Sequence, residues 1–107
     1  MNDFEAAKNF FLQGLDFFSQ EKFAAAEVLF EKALQLVPGR ASVLTNLGAT
    51  KFRLGKFAEA RDLALAAVNA ESLNSEGFLI LGLVELNNKN APAALEYFDK
   101  ALEAETN

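Results

Sequence analysis

The chain has 107 residues, of which 51% are hydrophobic and 23% charged, and its formal net charge is −5. This composition is typical of one soluble globular domain, and no apolar run reaches the roughly 18 to 20 residues that a membrane span needs. The acidic start lacks the basic region of a secretory signal, the negative charge disfavours nucleic acid, and the absence of cysteine fits a reducing cytoplasm. We therefore expect a cytoplasmic protein with no nucleic acid and no membrane as its partner.

Helical periodicity along the chain predicts six helices and no strand. They cover residues 4–19, 23–36, 41–54, 57–70, 75–86 and 91–105. Asp3 is expected to cap the first helix and Asn90 the last, in which Pro92 lies in the first turn, where its missing N–H costs little. Lys22 and Lys56 precede the second and fourth helices and are poor caps, so we expect packing to fix these two helix starts.

The same small residues return every 34 residues along the chain. Three triplets superimpose under this shift: Gly14, Gly48 and Gly82; Ala26, Ala60 and Ala94; Ala33, Ala67 and Ala101. A fixed period of this length signals a stack of like supersecondary units. We therefore interpret residues 1–107 as a single domain of three units, 7–40, 41–74 and 75–107.

The glycines fall in the middle of predicted helices, where each costs about 0.5–1 kcal/mol relative to alanine. Because this happens at one register in all three units, we expect the backbone of another helix to pass too close for a Cβ. Ala26, Ala60 and Ala94 supply the matching small surface on the second helix of each unit. Each unit is thus expected to be an antiparallel hairpin that buries its remaining apolar face on the next one.

This spacing resembles the tetratricopeptide repeat, a helix–turn–helix unit of 34 residues. Over residues 7–107 the resemblance also rests on Phe10, Phe17, Phe30, Pro38, Leu44, Leu47, Phe78, Leu81 and Phe98. Two pairs of residues depart from the repeat pattern. Lys51 and Glu85 stand where an aromatic residue is usual, and Ser72 and Thr106 stand where the proline is usual. The resemblance implies an all-α solenoid, a right-handed superhelix of three antiparallel hairpins, whose first helices line a concave groove that holds a peptide or partner segment. It implies no catalysis.

The helical phase separates a groove face from a buried face on each first helix. Most of the eleven phenylalanines occupy repeat-core positions, but Phe11, Phe18 and Phe52 do not, and all three fall on the groove face. A helix that is apolar on both faces is expected to be covered on both. The predicted partner-binding residues are Phe11, Leu12, Leu15, Phe18, Asn46, Phe52, Leu79, Ile80, Leu83 and Leu86.

Two kinds of occupant remain open for this surface. One is an apolar peptide or an amphipathic helix from a partner protein. The other is a neighbouring element of the native chain or a second copy of it, and Leu95 and Leu102 are expected to face the place where another hairpin or a polar capping helix docks. The chain is then a free-standing interaction module, a self-assembling scaffold, or the N-terminal accessory or oligomerisation domain of a larger enzyme such as a transferase.

One familiar ligand is disfavoured by the residues themselves. Repeat domains that hold the acidic C-terminal tails of heat-shock chaperones resemble one another in a carboxylate clamp of lysine, asparagine and arginine. A buried carboxylate without a cation is unfavourable, and only Asn46 fits among the residues at the matching positions, which are Phe11, Leu15, Asn46, Glu76 and Ile80.

Catalytic patterns are missing from the sequence. There is no histidine or cysteine, hence no common triad or zinc site, and no glycine-rich phosphate loop. Glu27 and Glu31 stand at helix-surface spacing and are interpreted as part of a solvated face. We expect no enzyme activity, no metal and no cofactor.

Overall fold

The structure, a computed structural model, describes residues 2–106 and places six α-helices in them. These are α1 (Asp3–Ser19), α2 (Phe23–Leu36), α3 (Ala41–Arg53), α4 (Phe57–Ala70), α5 (Ser75–Asn87) and α6 (Ala91–Thr106). Each predicted helix end agrees with the observed one to within one residue. The helices pack as three successive hairpins, α1 with α2, α3 with α4 and α5 with α6, so the predicted all-α helical repeat is confirmed.

The two outer helices of the chain carry side-chain caps. The side-chain oxygen of Asn2 accepts a hydrogen bond from the Glu5 N–H at 2.8 Å. The prediction that Asp3 caps α1 is therefore wrong by one residue, because Asp3 already lies within the helix. Asn90 accepts a hydrogen bond from the Ala93 N–H at 3.3 Å, as predicted.

Packing fixes the starts of α2 and α4. The residues before them, Lys22 and Lys56, make no side-chain cap, in line with the prediction. The first residue of each helix instead packs edge-on against a ring near the end of the preceding helix. The ring centroids are 5.1 Å apart for Phe18 and Phe23, and 5.2 Å apart for Phe52 and Phe57.

A phenylalanine ring fills the notch left by two of the three mid-helix glycines. A Cβ added to Gly14 would lie 2.5 Å from Cε1 of Phe30, and one added to Gly82 would collide with the ring of Phe98. Phe30 is fully buried, so its ring has little room to move aside. The expectation of a passing helix backbone is therefore wrong here, because the close neighbour is an aromatic side chain of the second helix.

Gly48 has a different neighbourhood, because the second helix of its hairpin carries Ala64 at the position of the phenylalanine. The nearest atoms to an added Cβ are Cδ1 of Ile80 at 3.5 Å and the carbonyl oxygen of Ala60 at 3.6 Å. These are ordinary van der Waals distances. In the outer hairpins a phenylalanine ring fills this space, whereas here Ile80 of the next hairpin lies beside it. An added Cβ would not clash, so packing does not require glycine at this position.

The small residues of the second helices lie at the centre of the stack. Five of the six predicted alanines are buried, namely Ala26, Ala33, Ala60, Ala67 and Ala94. Ala101 is only half-buried, because no further described helix covers that face of α6. On the same helix Leu95 and Leu102 are 62% and 65% exposed. The apolar end of the stack that the sequence predicted is therefore open in the structure.

A buried ion-pair network joins the first hairpin to the second. Lys51 of α3 is 6% exposed, and its Nζ lies 2.7 Å from Oε2 of Glu27 and 3.2 Å from Oε1 of Glu59. Lys56 reaches the same oxygen of Glu27 at 2.8 Å. The interpretation of Glu27 as solvated is wrong, since its side chain is 12% exposed, whereas Glu31 stays half-exposed at 3.7 Å from Lys51. A buried ammonium needs such partners, because an unpaired buried charge is strongly unfavourable.

The second and third hairpins are joined at the equivalent positions with the charges reversed. One repeat length along the chain, Arg61 replaces Glu27 and Glu85 replaces Lys51. The Nε of Arg61 and Oε1 of Glu85 are 4.0 Å apart. Lys51 and Glu85 stand where the repeat usually has an aromatic residue. Each therefore forms one side of an ion pair between hairpins, and the two pairs have opposite polarity.

In the buried ion pair the pKa of Glu27 is lowered and the pKa of Lys51 is raised. Burial raises the pKa of Glu27, but hydrogen bonds from Lys51 and Lys56 outweigh it and hold that pKa below its ordinary value of 4.5. Burial lowers the pKa of Lys51, but hydrogen bonds to Glu27 and Glu59 outweigh it and raise that pKa above its ordinary value of 10.5. Both groups are therefore charged in the folded protein at neutral pH.

The three glycines should respond differently to alanine. Gly14→Ala should lower the free energy of unfolding by about 1–3 kcal/mol, because the new Cβ meets the immobile ring of Phe30. Gly82→Ala should cost less, since Phe98 is only half-buried. Gly48→Ala should raise stability by about 0.5–1 kcal/mol, because the space is free and alanine favours the helix. Urea unfolding of the three variants measures this order, and equal effects at Gly14 and Gly48 would contradict it.

Acid should weaken the ion-pair network. Because the pKa of Glu27 is lower folded than unfolded, its contribution is present above pH 4.5 and is lost as the pH falls through the folded value. Glu27→Gln should therefore lower the free energy of unfolding by roughly 1–3 kcal/mol at neutral pH. The difference from the wild type should shrink well below pH 4.5. Urea unfolding at several pH values tests this, and a difference that stays constant into acid would refute the assignment.

Candidate functional site

The first helices of the hairpins form the inner side of a curved stack. In the described part of the chain the backbone of α3 comes close to those of α1 and α5, whereas the backbones of α2, α4 and α6 stay further from one another. Helices that touch on one side and separate on the other give a curved layer. The concave side of the stack is therefore built from α1, α3 and α5.

This concave side holds an open groove of about 380 Å³, which we call the central groove. All three first helices contribute apolar side chains to it, and Arg53 and Glu76 are its charged residues. The lining consists of Phe18, Thr45, Asn46, Ala49, Phe52, Arg53, Glu76, Leu79, Ile80 and Leu83.

Six of the ten predicted partner-binding residues line the central groove: Phe18, Asn46, Phe52, Leu79, Ile80 and Leu83. They differ in what they offer to a ligand. Leu79 is 47% exposed, whereas Ile80 is 5% exposed and packs within the core of α4 and α5. Ile80 therefore contributes the floor of the groove and little contact surface.

The other four predicted residues lie elsewhere. Phe11 and Leu12 line a separate hollow of about 330 Å³ beside Phe4, which we call the N-terminal depression. Leu15 is half-buried and packs against the core cluster of Ala26, Phe30 and Leu47. Leu86 is exposed but is not among the residues that line the central groove.

The three phenylalanines assigned to the groove face also pack inside their own hairpins. Phe18 and Phe52 make the edge-on ring pairs at the starts of α2 and α4, and the centroid of Phe11 lies 5.7 Å from that of Phe30. The sequence analysis assigned these rings to the groove face, and the structure adds a packing role for each of them. The sequence does carry a signal for the packing of Phe18 and Phe52. Their ring partners Phe23 and Phe57 occupy the same position of the repeat, just after the turn between the two helices.

The polar residues of the central groove are largely engaged with their own chain. Asn46 Nδ2 donates to the carbonyl oxygen of Ser42 at 2.7 Å, and the buried hydroxyl of Thr45 donates to the same oxygen at 3.1 Å. The guanidinium of Arg53 lies 3.1 Å from Oε1 of Glu21 and over the ring of Phe23. Arg53 is not among the residues predicted from the sequence, although it stands seven residues after Asn46 and so on the same helix face.

The central groove is lined mainly by apolar side chains. Within residues 2–106 no cluster of three histidine, cysteine, aspartate or glutamate side chains could hold a metal ion. No helix over the same residues combines the length and the apolar character required to cross a bilayer. Side-chain contact and hydrogen bonding are the chemistry that the central groove supports.

Comparison with curated proteins finds a relative of moderate identity. DnaJ homolog subfamily C member 7 from Mus musculus is 33% identical over 97 residues, which cover 91% of this chain. The chain spans about a fifth of the length of that relative, since the match covers 20% of it.

Comparison with solved structures shows the fold. The Arabidopsis OM64 TPR domain aligns with a TM-score of 0.94 over 98% of this chain and 87% of that chain, at 20% identity. The first TPR of Spaghetti (RPAP3), bound to the HSP90 peptide SRMEEVD, aligns with a TM-score of 0.90 over 99% of this chain and 84% of that one, at 24% identity.

The family itself is shown by sequence. The family model for the tetratricopeptide repeat matches twice, over residues 11–72 and over residues 45–107. The two matches overlap and together cover nearly the whole chain. With three hairpins of the expected length in the structure, the chain belongs to the tetratricopeptide repeat family.

Proposed function

We propose that this chain is a protein-interaction module, one domain over residues 1–107, that binds an apolar peptide or an amphipathic helix in its central groove. The observation that carries the proposal is the groove itself. It is open, concave and lined by apolar side chains from three helices, and Leu79 stays half-exposed although it lies among them. Such surfaces are where partner helices and peptides dock.

The comparisons support a binding role. One of the structural neighbours is a TPR domain bound to a peptide of HSP90 and another, from yeast Sti1, is in complex with pHsp70. A role of this kind needs no catalytic group, and we assign none to this chain. The repeat residues Gly14, Ala26 and their counterparts hold the scaffold, while the groove residues meet the partner.

The ligand we propose differs from an acidic tail. At the positions of a carboxylate clamp, Phe11 and Leu15 are apolar and pack against a core cluster, Ile80 is buried and Glu76 is acidic. Asn46, which fits the clamp, donates its amide hydrogen to Ser42. A carboxylate placed in the groove would therefore find no lysine or arginine at these positions, and Arg53, the one cation of the groove lining, already pairs with Glu21.

Leu79 separates binding from folding. Leu79→Gln should weaken partner binding about tenfold or more, because it removes exposed apolar contact area, and should leave the free energy of unfolding nearly unchanged. Leu95→Gln is the matched control, since it makes the same exchange at an exposed leucine outside the groove. Affinity is measured by fluorescence anisotropy with an amphipathic leucine-rich peptide, and an equal loss for the two variants would rule the groove out.

Phe18 and Phe52 are weaker probes of the same surface. Each ring packs on the first residue of the following helix, so Phe52→Ala should lower stability by about 0.5–1.5 kcal/mol in addition to weakening binding. Urea unfolding measures the first effect. An alanine variant of Phe52 that is as stable as the wild type would show that the ring serves the groove alone.

A second candidate function rests on the open end of the stack. Leu95 and Leu102 are exposed on α6, and Leu102 lines a hollow together with Phe98 and Ala101. We propose as the alternative that this face docks a further helix or a second copy, as in an accessory or oligomerisation domain of a larger enzyme such as a transferase.

Sedimentation tests self-association through this face. If a second copy docks there, the mass of the wild type should rise with concentration, and Leu95→Gln with Leu102→Gln should abolish that rise. A wild-type mass that stays monomeric at every concentration would exclude the second copy.

A further inference from the structure

Three depressions of the surface meet at Glu76. It lines the central groove, a polar hollow of about 230 Å³ next to Asn74, and a third hollow of about 380 Å³ that reaches Leu102 on α6. The residue stands in the first turn of α5 and is exposed. A segment that runs along the concave side of α5 therefore passes this carboxylate.

Carboxylates outnumber cations around these three depressions. Glu71 lines the polar hollow and Glu105 lines the hollow between α5 and α6. Among the residues that line the three, Arg53 is the one cation, and its guanidinium is already 3.1 Å from Glu21. The surface that a ligand meets at the α5 side of the central groove is therefore acidic.

Glu76 itself makes no ion pair with any residue of the described chain, in contrast to Glu27 and Glu85. Its negative charge is thus available to a ligand. A carboxylate beside an apolar groove attracts a cationic side chain of the partner and repels an acidic one, and such charges decide specificity more than affinity. Lys8 and Arg40 border the N-terminal depression, which shares Ser42 with the polar hollow but does not include Glu76.

We propose that the segment bound in the central groove is an apolar helix or peptide with basic residues, one of which pairs its lysine or arginine side chain with Glu76. This inference rests on the proposed function and names its ligand class. Leucine-type side chains of the partner fill the groove between Phe52 and Leu83, and the basic side chain lies over the first turn of α5. The partner is selected by opposite charge, because the groove already holds its own carboxylate.

Three peptides of equal length test the ligand class. They share the same leucine positions of an amphipathic helix, and their polar positions are all lysine, all glutamine or all glutamate. We expect the lysine peptide to bind tightest and the glutamate peptide weakest by fluorescence anisotropy, and we expect added salt to narrow the difference. Equal affinities for the three peptides, or a preference for glutamate, would overturn the inference.

Two charge reversals locate the effect. Glu76→Lys should weaken binding of the lysine peptide about tenfold and leave the glutamine peptide nearly unchanged. Glu96→Lys is the control, because it makes the same change of net charge at an exposed position of α6 outside the three depressions. If the two variants weaken the lysine peptide equally, the general negative charge of the protein attracts it and the role of Glu76 is refuted.

The outcomes also separate this inference from the proposed function. If all three peptides bind and Leu79→Gln weakens them alike, the groove binds apolar segments without regard to charge, and the inference alone fails. If no peptide binds, both fail. If the peptide-free protein sediments as a dimer that Leu79→Gln converts to a monomer and that Leu95→Gln with Leu102→Gln leaves intact, a second copy occupies the groove, and this too overturns the basic partner.

Discussion

The fit of an aromatic ring into the notch of a glycine sets how closely the helices of the outer hairpins approach. At Gly14 the ring of Phe30 occupies the place of a Cβ, and at Gly82 the ring of Phe98 does the same. Burying a ring of this size contributes more than the glycine costs in helix propensity. This contact fixes the distance between the two helices of a hairpin. One face of each first helix then packs within the hairpin, and the opposite face forms part of the concave wall.

In the middle hairpin a side chain of the third hairpin lies beside the glycine in place of the ring. Because Ala64 stands where the other hairpins have phenylalanine, Ile80 of α5 packs against Gly48 and Ala60 and completes that core. Because the core of the second hairpin includes a side chain of the third, the second hairpin does not pack independently of the third. Stability in this stack is therefore expected to be shared between the second and third hairpins, as nearest-neighbour coupling in repeat proteins requires.

The repeat period predicted the fold because small residues at a fixed interval leave few alternatives for how helices pack. The sequence also placed Phe18, Phe52, Leu79 and Leu83 on the wall that the structure curves inward. It did not reveal which neighbour each glycine excludes, since a ring and a backbone both demand the missing Cβ. Nor could it pair Lys51 with Glu27, because those residues come from different helices and meet only when two hairpins stack.

The reversed polarity of the two inter-hairpin ion pairs bears on how such an array changes in evolution. Repeat proteins gain and lose whole units by unequal recombination between similar stretches of a gene. Loss of the middle unit here would bring Glu85 against Glu27, two carboxylates in a site that holds a lysine in the intact chain. The charges thus make the order and number of the units matter, and a shortened copy would carry a like-charge repulsion at its single remaining junction.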